Sequence, residues 1–168
     1  MKRLEGNVTI ITGGGKGIGY GLAQAFAEAG SNLVITGRTL SRLESAKDRL
    51  EAEYGVKVLP IVADGADEEA IKNVVAKTIE KFGKITTLVN NAQVSKSGLP
   101  LIQHTREDLD MAVLSGIYAT FFYMRECFPY LKESKGSVIN FASGAGLYGK
   151  PGQSSYAAAK EGIRGISL

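Results

Sequence analysis

Five short runs of β-branched and apolar residues, each followed by a stretch of helical periodicity, constrain this chain more than any other feature. Val8-Thr-Ile-Ile-Thr12 is bounded by Gly6 and a glycine cluster, and reads as a buried strand. Over residues 18–29 apolar side chains recur at helical spacing (Leu22, Ala23, Phe26, Ala27), with Gly30 as the stop signal. The alternation then repeats: strand 32–36 and helix 41–54, strand 56–62 and helix 68–82, strand 87–90 and a long amphipathic helix over 106–132, strand 137–141 and a helix from about Ser154. Such an alternation, with nearly continuous apolar strands, predicts an α/β fold: a doubly wound parallel sheet covered by helices on both faces. Its ligands belong at the carboxyl ends of the strands.

The 168 residues form a single domain with a real core, and 44% hydrophobic with 22% charged residues is an ordinary globular balance. A net charge of +3, without a run of five or six like charges, argues against nucleic acid as a partner. No apolar stretch approaches the roughly 18 residues of a membrane helix. The first residues lead straight into a strand and leave no room for a signal peptide. The single Cys127 has no disulfide partner and no metal-ligand neighbours; it reads as a buried structural thiol, and no metal is expected. Together these points favour the cytoplasm. The sequence stops at Leu168 inside what the periodicity reads as a helix, so the expectation is a domain truncated before its last strands.

Thr12-Gly13-Gly14-Gly15-Lys16-Gly17-Ile18-Gly19 joins the first strand to the first helix. Glycines let backbone approach a phosphate, and the following helix aims unpaired N–H groups at it. The spacing matches neither Gly-x-Gly-x-x-Gly nor the phosphate loop that ends in Gly-Lys-Ser/Thr; it is Thr-Gly-x-x-x-Gly-x-Gly. At the end of strand two, where an acidic residue selects NAD by binding the ribose hydroxyls, stands Gly37 followed by Arg38. Arg38 can clamp a 2′-phosphate through two parallel hydrogen bonds, and Lys16 adds a second cation on the same side. The bland alternative is two solvated surface cations. The charge argument predicts NADP(H).

Tyr156 and Lys160, four apart, share one helix face, and Ser143 lies thirteen residues upstream of the tyrosine. A lysine fixed there favours the phenolate and pulls the tyrosine toward acid/base work near neutral pH. In this order and on this fold, the loop, Asp64 after strand three, Asn90-Asn91-Ala92 after strand four, Ser143, Tyr156 and Lys160 resemble the short-chain dehydrogenase/reductase family across the whole chain, in a manner similar to its NADP-preferring 3-oxoacyl-carrier-protein reductases.

The resemblance implies a Rossmann-like dinucleotide-binding domain over 1–168, with the C-terminal part missing, and hydride transfer between a nicotinamide and a carbonyl or alcohol. Gly13, Gly15, Lys16, Gly17, Ile18 and Gly19 would hold the dinucleotide. Asp64 and Gly65 would reach the adenine, although Asp64 also reads as a helix cap, with Asp67 the better-placed one. Asn90 and Ala92 would line the ribose. Ser143 would bind the substrate oxygen, Tyr156 pass the proton, and Lys160 touch the ribose and tune the tyrosine. A small-molecule or carrier-linked oxo substrate and a homo-oligomer, dimer or tetramer, are implied, the long helix packing on its copy through aromatics such as Phe121 and Phe128. Two departures stand out. Gln93 replaces the glycine of Asn-Asn-Ala-Gly, and the seat of a fourth, asparagine residue on the long helix falls on Gly116 or, counted from Ser143, on Ser115. Gly116 leaves room for water or for a backbone carbonyl to accept a relay bond. These departures keep two other readings open: a reductase of carbon–carbon double bonds in thioesters, and a nucleotide-binding sensor without turnover. His104 reads as a connector residue.

Overall fold

A computed structural model describes residues 2–167; Met1 and Leu168, on which the readings of the two chain ends rest, lie outside the described residues. Five parallel strands, β1 (Val8–Thr12), β2 (Asn32–Gly37), β3 (Val58–Val62), β4 (Thr87–Asn90) and β5 (Ser137–Asn140), form one sheet in the order β3-β2-β1-β4-β5. The register pairs Ile10 with Val34 on one side and with Leu88 on the other, and Leu88 with Val138. Chain direction across the sheet reverses between β1 and β4, which opens a crevice at their carboxyl ends.

Successive strand residues point to opposite faces. Ile10, Val34 and Leu88 pack against Ile71 and Val74 of α3 (Glu68–Phe82) and against Tyr123, Cys127 and Leu131 of α5 (Ala119–Ser134). Ile11, Leu33, Ile35 and Val89 pack on the other face, against α1 (Gly17–Glu28) and α2 (Leu40–Tyr54). The doubly wound expectation therefore holds, with helices on both faces. Cap chemistry sets several boundaries. Asp67 accepts from the Glu69 and Ala70 amides to start α3, and Thr105 with Asp108 forms a capping box at α4 (Arg106–Val113). Gly55 and Gly83 end α2 and α3 in the left-handed conformation.

Three local expectations need correction. The helix expected over 106–132 is not continuous: α4 and α5 are joined by a π turn, Leu114–Tyr118, in which Gly116 is buried. Two pieces too short for periodicity to reveal are also present, a 3₁₀ turn at Leu101–Gln103 and α6 at Gly144–Tyr148. The last helix, α7, spans Ser154–Gly165, with the Ile166 amide bonded back to Gly162. The β5 edge carries partly exposed Val138 and Ile139. Among the described residues no helix is long and apolar enough to cross a membrane.

Candidate active site

A cavity of about 790 Å³ opens at the carboxyl ends of β1 to β4. Gly13, Lys16, Gly17, Ile18 and Gly19 line it from the first loop. Arg38, Asp64, Gly65, Asn90 and Ala92 line it from the three neighbouring strand ends. Gly15 instead lines a smaller adjoining depression together with Lys16, Ser41, Arg42 and Arg49. Sequence reading passed over Arg42 and Arg49, which lie on the polar side of α2 and look like ordinary helix surface; only the fold brings them beside Lys16.

The glycine loop is closed by sterics. A Cβ at Gly13, where φ is +70°, would meet the Asn91 side chain at 3.1 Å, and one at Gly19 would overlap the Gly13 carbonyl oxygen. No side chain caps the N-terminus of α1 at Lys16, and no acidic residue occupies its first turn. Its first amides are thus open to an anion, which fits the pyrophosphate of a dinucleotide. Thr12 stitches this loop to β4. Its hydroxyl accepts from the Asn91 and Ala92 amides, each at 3.0 Å, while Asn91 Nδ2 donates to the Thr12 carbonyl at 3.0 Å. Asn90 Nδ2 donates to Asn140 Oδ1 at 2.9 Å, which ties the ends of β4 and β5. Asn140 was missed from sequence; its signal was an asparagine ending two strands of equal length.

Tyr156 and Lys160 lie one turn apart on α7, with the Lys160 ammonium 5.7 Å from the centre of the Tyr156 ring. Lys160 is 5% exposed and donates to the Phe141 carbonyl at 2.6 Å. Burial pushes its pKa below the ordinary lysine value. Ser143 caps α6: its hydroxyl oxygen accepts from the Ala145 amide at 3.2 Å, which leaves its proton free to donate. It faces a shallow depression with Phe141, Leu147 and Arg164, apart from the main cavity. Among the described residues no hydrogen bond links the side chains of Ser143, Tyr156 and Lys160.

Of the two candidates for the fourth seat, Gly116 faces Gln93, and Ser115 binds the backbone of Val94. Asp64 accepts from the Ala66 amide in a local turn, so Asp67 alone caps α3. His104 Nε2 lies 3.2 Å from the Leu99 carbonyl within the connector. Among the described residues no group of three or more His, Cys, Asp or Glu is placed to hold a metal.

A crossed parallel sheet with a glycine loop at its switch point defines a dinucleotide-binding α/β protein. The profile of the short chain dehydrogenases matches residues 7–168, and the chain belongs to that family. It is 58% identical, over 99% of its own length and 67% of the other's, to a 12α-hydroxysteroid dehydrogenase of Clostridium sp.. Among solved structures it resembles an alcohol dehydrogenase of the archaeon Thermococcus sibiricus complexed with 5-hydroxy-NADP, at TM-score 0.91 and 25% identity over 95% of this chain and 68% of that one. It also resembles an NAD+-bound xylitol dehydrogenase, at TM-score 0.93 and 27% identity over 98% of this chain and 64% of that one. The chain thus spans about two thirds of the length of the relatives it matches.

Proposed function

We propose that this chain carries the core of an NADP(H)-dependent oxidoreductase that interconverts a ketone and a secondary alcohol on a hydroxysteroid-like substrate. The observation that carries the reading is the buried Lys160 ammonium, anchored at the end of β5 one helical turn from Tyr156. The fused-ring substrate class rests on the 58% identity to the hydroxysteroid dehydrogenase.

When bound, a nicotinamide supplies the hydride. The chain's own residues do the rest. Tyr156 exchanges a proton with the substrate oxygen, Ser143 donates its free hydroxyl proton to that oxygen, and Lys160 returns the tyrosine's proton. Arg38, in the cavity wall directly after Gly37, and Lys16, which lines the same cavity, favour a 2′-phosphate. Residence in the cytoplasm and assembly into a homo-oligomer belong to the same reading. The buried free thiol of Cys127 supports the first, and the exposed rings of Phe121 and Phe128 on α5 support the second.

The test is Tyr156→Phe in the full-length protein, assayed with NADP+ and a hydroxysteroid. Turnover should be lost while NADPH still binds in a fluorescence titration. Retained turnover would remove Tyr156 from the chemistry.

A further inference from the structure

Three cations line the second depression, of about 400 Å³, beside the cleft. Lys16 comes from the first loop, and Arg42 and Arg49 come from α2, seven residues apart and therefore on one helix face. Ser41 and Ser45 add hydroxyls to the same wall. The acidic residues of α2, Glu44, Asp48, Glu51 and Glu53, do not line it. Among the described residues none of the three cations is paired with a carboxylate.

Local structure holds these charges together. The Tyr20 amide donates to the Lys16 carbonyl at 3.1 Å, and the Tyr20 ring carries the Arg49 guanidinium 5.0 Å from its centre. That stacking turns Arg49 toward α1 and leaves its N–H donors unspent. The Tyr20 hydroxyl is buried without a hydrogen-bond partner among the described residues, so the wall keeps a further unused donor. Gly15 brings the two elements close: a Cβ there would lie 3.1 Å from Leu43 Cδ2 and 3.7 Å from the Arg42 carbonyl oxygen. The start of α2 that the loop abuts has no side-chain cap and no acidic residue in its first turn. Its first amides therefore add to the positive potential of the three side chains.

Arg38 lines the cleft and not the depression, Arg42 and Arg49 line the depression and not the cleft, and Lys16 lines both. We infer that the depression is a second anion site, for an ion with two linked phosphoryl groups, coupled to cofactor binding through Lys16. The forks of Arg42 and Arg49 match phosphate oxygens in pairs. Their Cα atoms stand roughly 10 Å apart along α2, a span that suits two phosphoryl groups better than one. An occupant engages the Lys16 charge and so competes with a 2′-phosphate for it. The coupling, though not the site, rests on the NADP(H) reading. The anion then weakens NADPH and spares NADH, which has no 2′-phosphate, and by linkage NADPH weakens the anion to the same degree.

The experiment uses the full-length protein and inorganic pyrophosphate in metal-free buffer, with ionic strength held constant by NaCl. In calorimetry, pyrophosphate should bind the wild type about tenfold more tightly than it binds Arg49→Ala. At a pyrophosphate concentration that fills the site, the NADPH Kd from a fluorescence titration should rise about fivefold, and the NADH Kd should stay within about twofold. Arg49→Ala should keep the wild-type NADPH Kd without pyrophosphate and lose the response to it. The site is overturned if pyrophosphate binds the wild type and Arg49→Ala alike. The coupling is overturned if pyrophosphate weakens NADH as much as NADPH, as competition inside the cleft would, or if Arg49→Ala responds like the wild type. Should the wild type bind NADH as tightly as NADPH, the cofactor reading fails alone, and the calorimetric contrast still decides the site.

Discussion

The Lys160 ammonium donates to the Phe141 carbonyl across 2.6 Å, and this bond ties α7 to the end of β5. It also holds a charge where burial disfavours it, so the folded chain releases the Lys160 proton at a lower pH than the unfolded chain, whose lysine titrates near 10.5. Between its depressed folded value and 10.5 the unfolded state binds more protons, and stability from this group rises with pH. Lys160→Met removes that slope together with turnover. Urea unfolding of both proteins between about pH 8 and pH 10 should move in favour of the wild type as pH rises. A constant difference would mean that the ammonium behaves as if solvated.

Cofactor choice is open to a direct measurement at Arg38, which enters the cleft at the end of β2. A charge-assisted bond to a phosphate contributes roughly 1.5–3 kcal/mol, so Arg38→Ala should weaken NADPH binding about 10- to 100-fold. NADH binding should stay within about twofold, since it has no 2′-phosphate to lose. Arg42→Ala, in the depression that Lys16 shares, should cost less. Equal affinity of the wild type for NADH and NADPH in a fluorescence titration would end the assignment.

Residues with a period were legible in the sequence, and residues with only a place were not. β1 and β4 match their expected bounds and β2, β3 and β5 fall within two residues, because apolar runs and flanking glycines are local signals. The break in the long helix left no trace in composition: Leu114–Tyr118 remains mostly apolar, and its π turn is held by Ser115 bonding to Val94, far away in sequence. For the same reason Gln93 and Gly116 read as two separate departures from a family pattern, whereas in space they are one contact. The one-turn separation of Tyr156 and Lys160 was legible from their spacing. That Ser143 caps α6 was not, since a five-residue helix offers no period to read.

Cys127 is fully buried on α5, and burial pushes its thiol up to about 12. Thiolate is the reactive form, so the native protein should resist alkylation at neutral pH. Modification should proceed only through opening of the α5 face, at a rate that climbs with denaturant, and should be complete in unfolding urea. Rapid labelling of the native protein would place α5 in an open conformation that the packing of Cys127 against Ile10 and Leu88 does not allow.

Gly19 and Gly21, two residues apart on α1, test whether the loop needs glycine for contact or merely tolerates it. A Cβ at Gly19 would run into the Gly13 carbonyl and lie 2.7 Å from Asn91 Nδ2, and the carbonyl belongs to backbone that cannot swing aside. Gly19→Ala should therefore cost about 3 kcal/mol of stability and weaken NADPH binding, because relief of the clash reshapes the turn that would hold the pyrophosphate. At Gly21 nothing lies within 4 Å of the added carbon. Gly21→Ala should gain up to about 1 kcal/mol from helix propensity and leave cofactor binding unchanged. Urea unfolding and a fluorescence titration on both variants read the contrast. If both variants lost stability equally, the cost would lie in α1 as a helix, and the close approach of Gly13 and Gly19 would have no part in shaping the cofactor cradle.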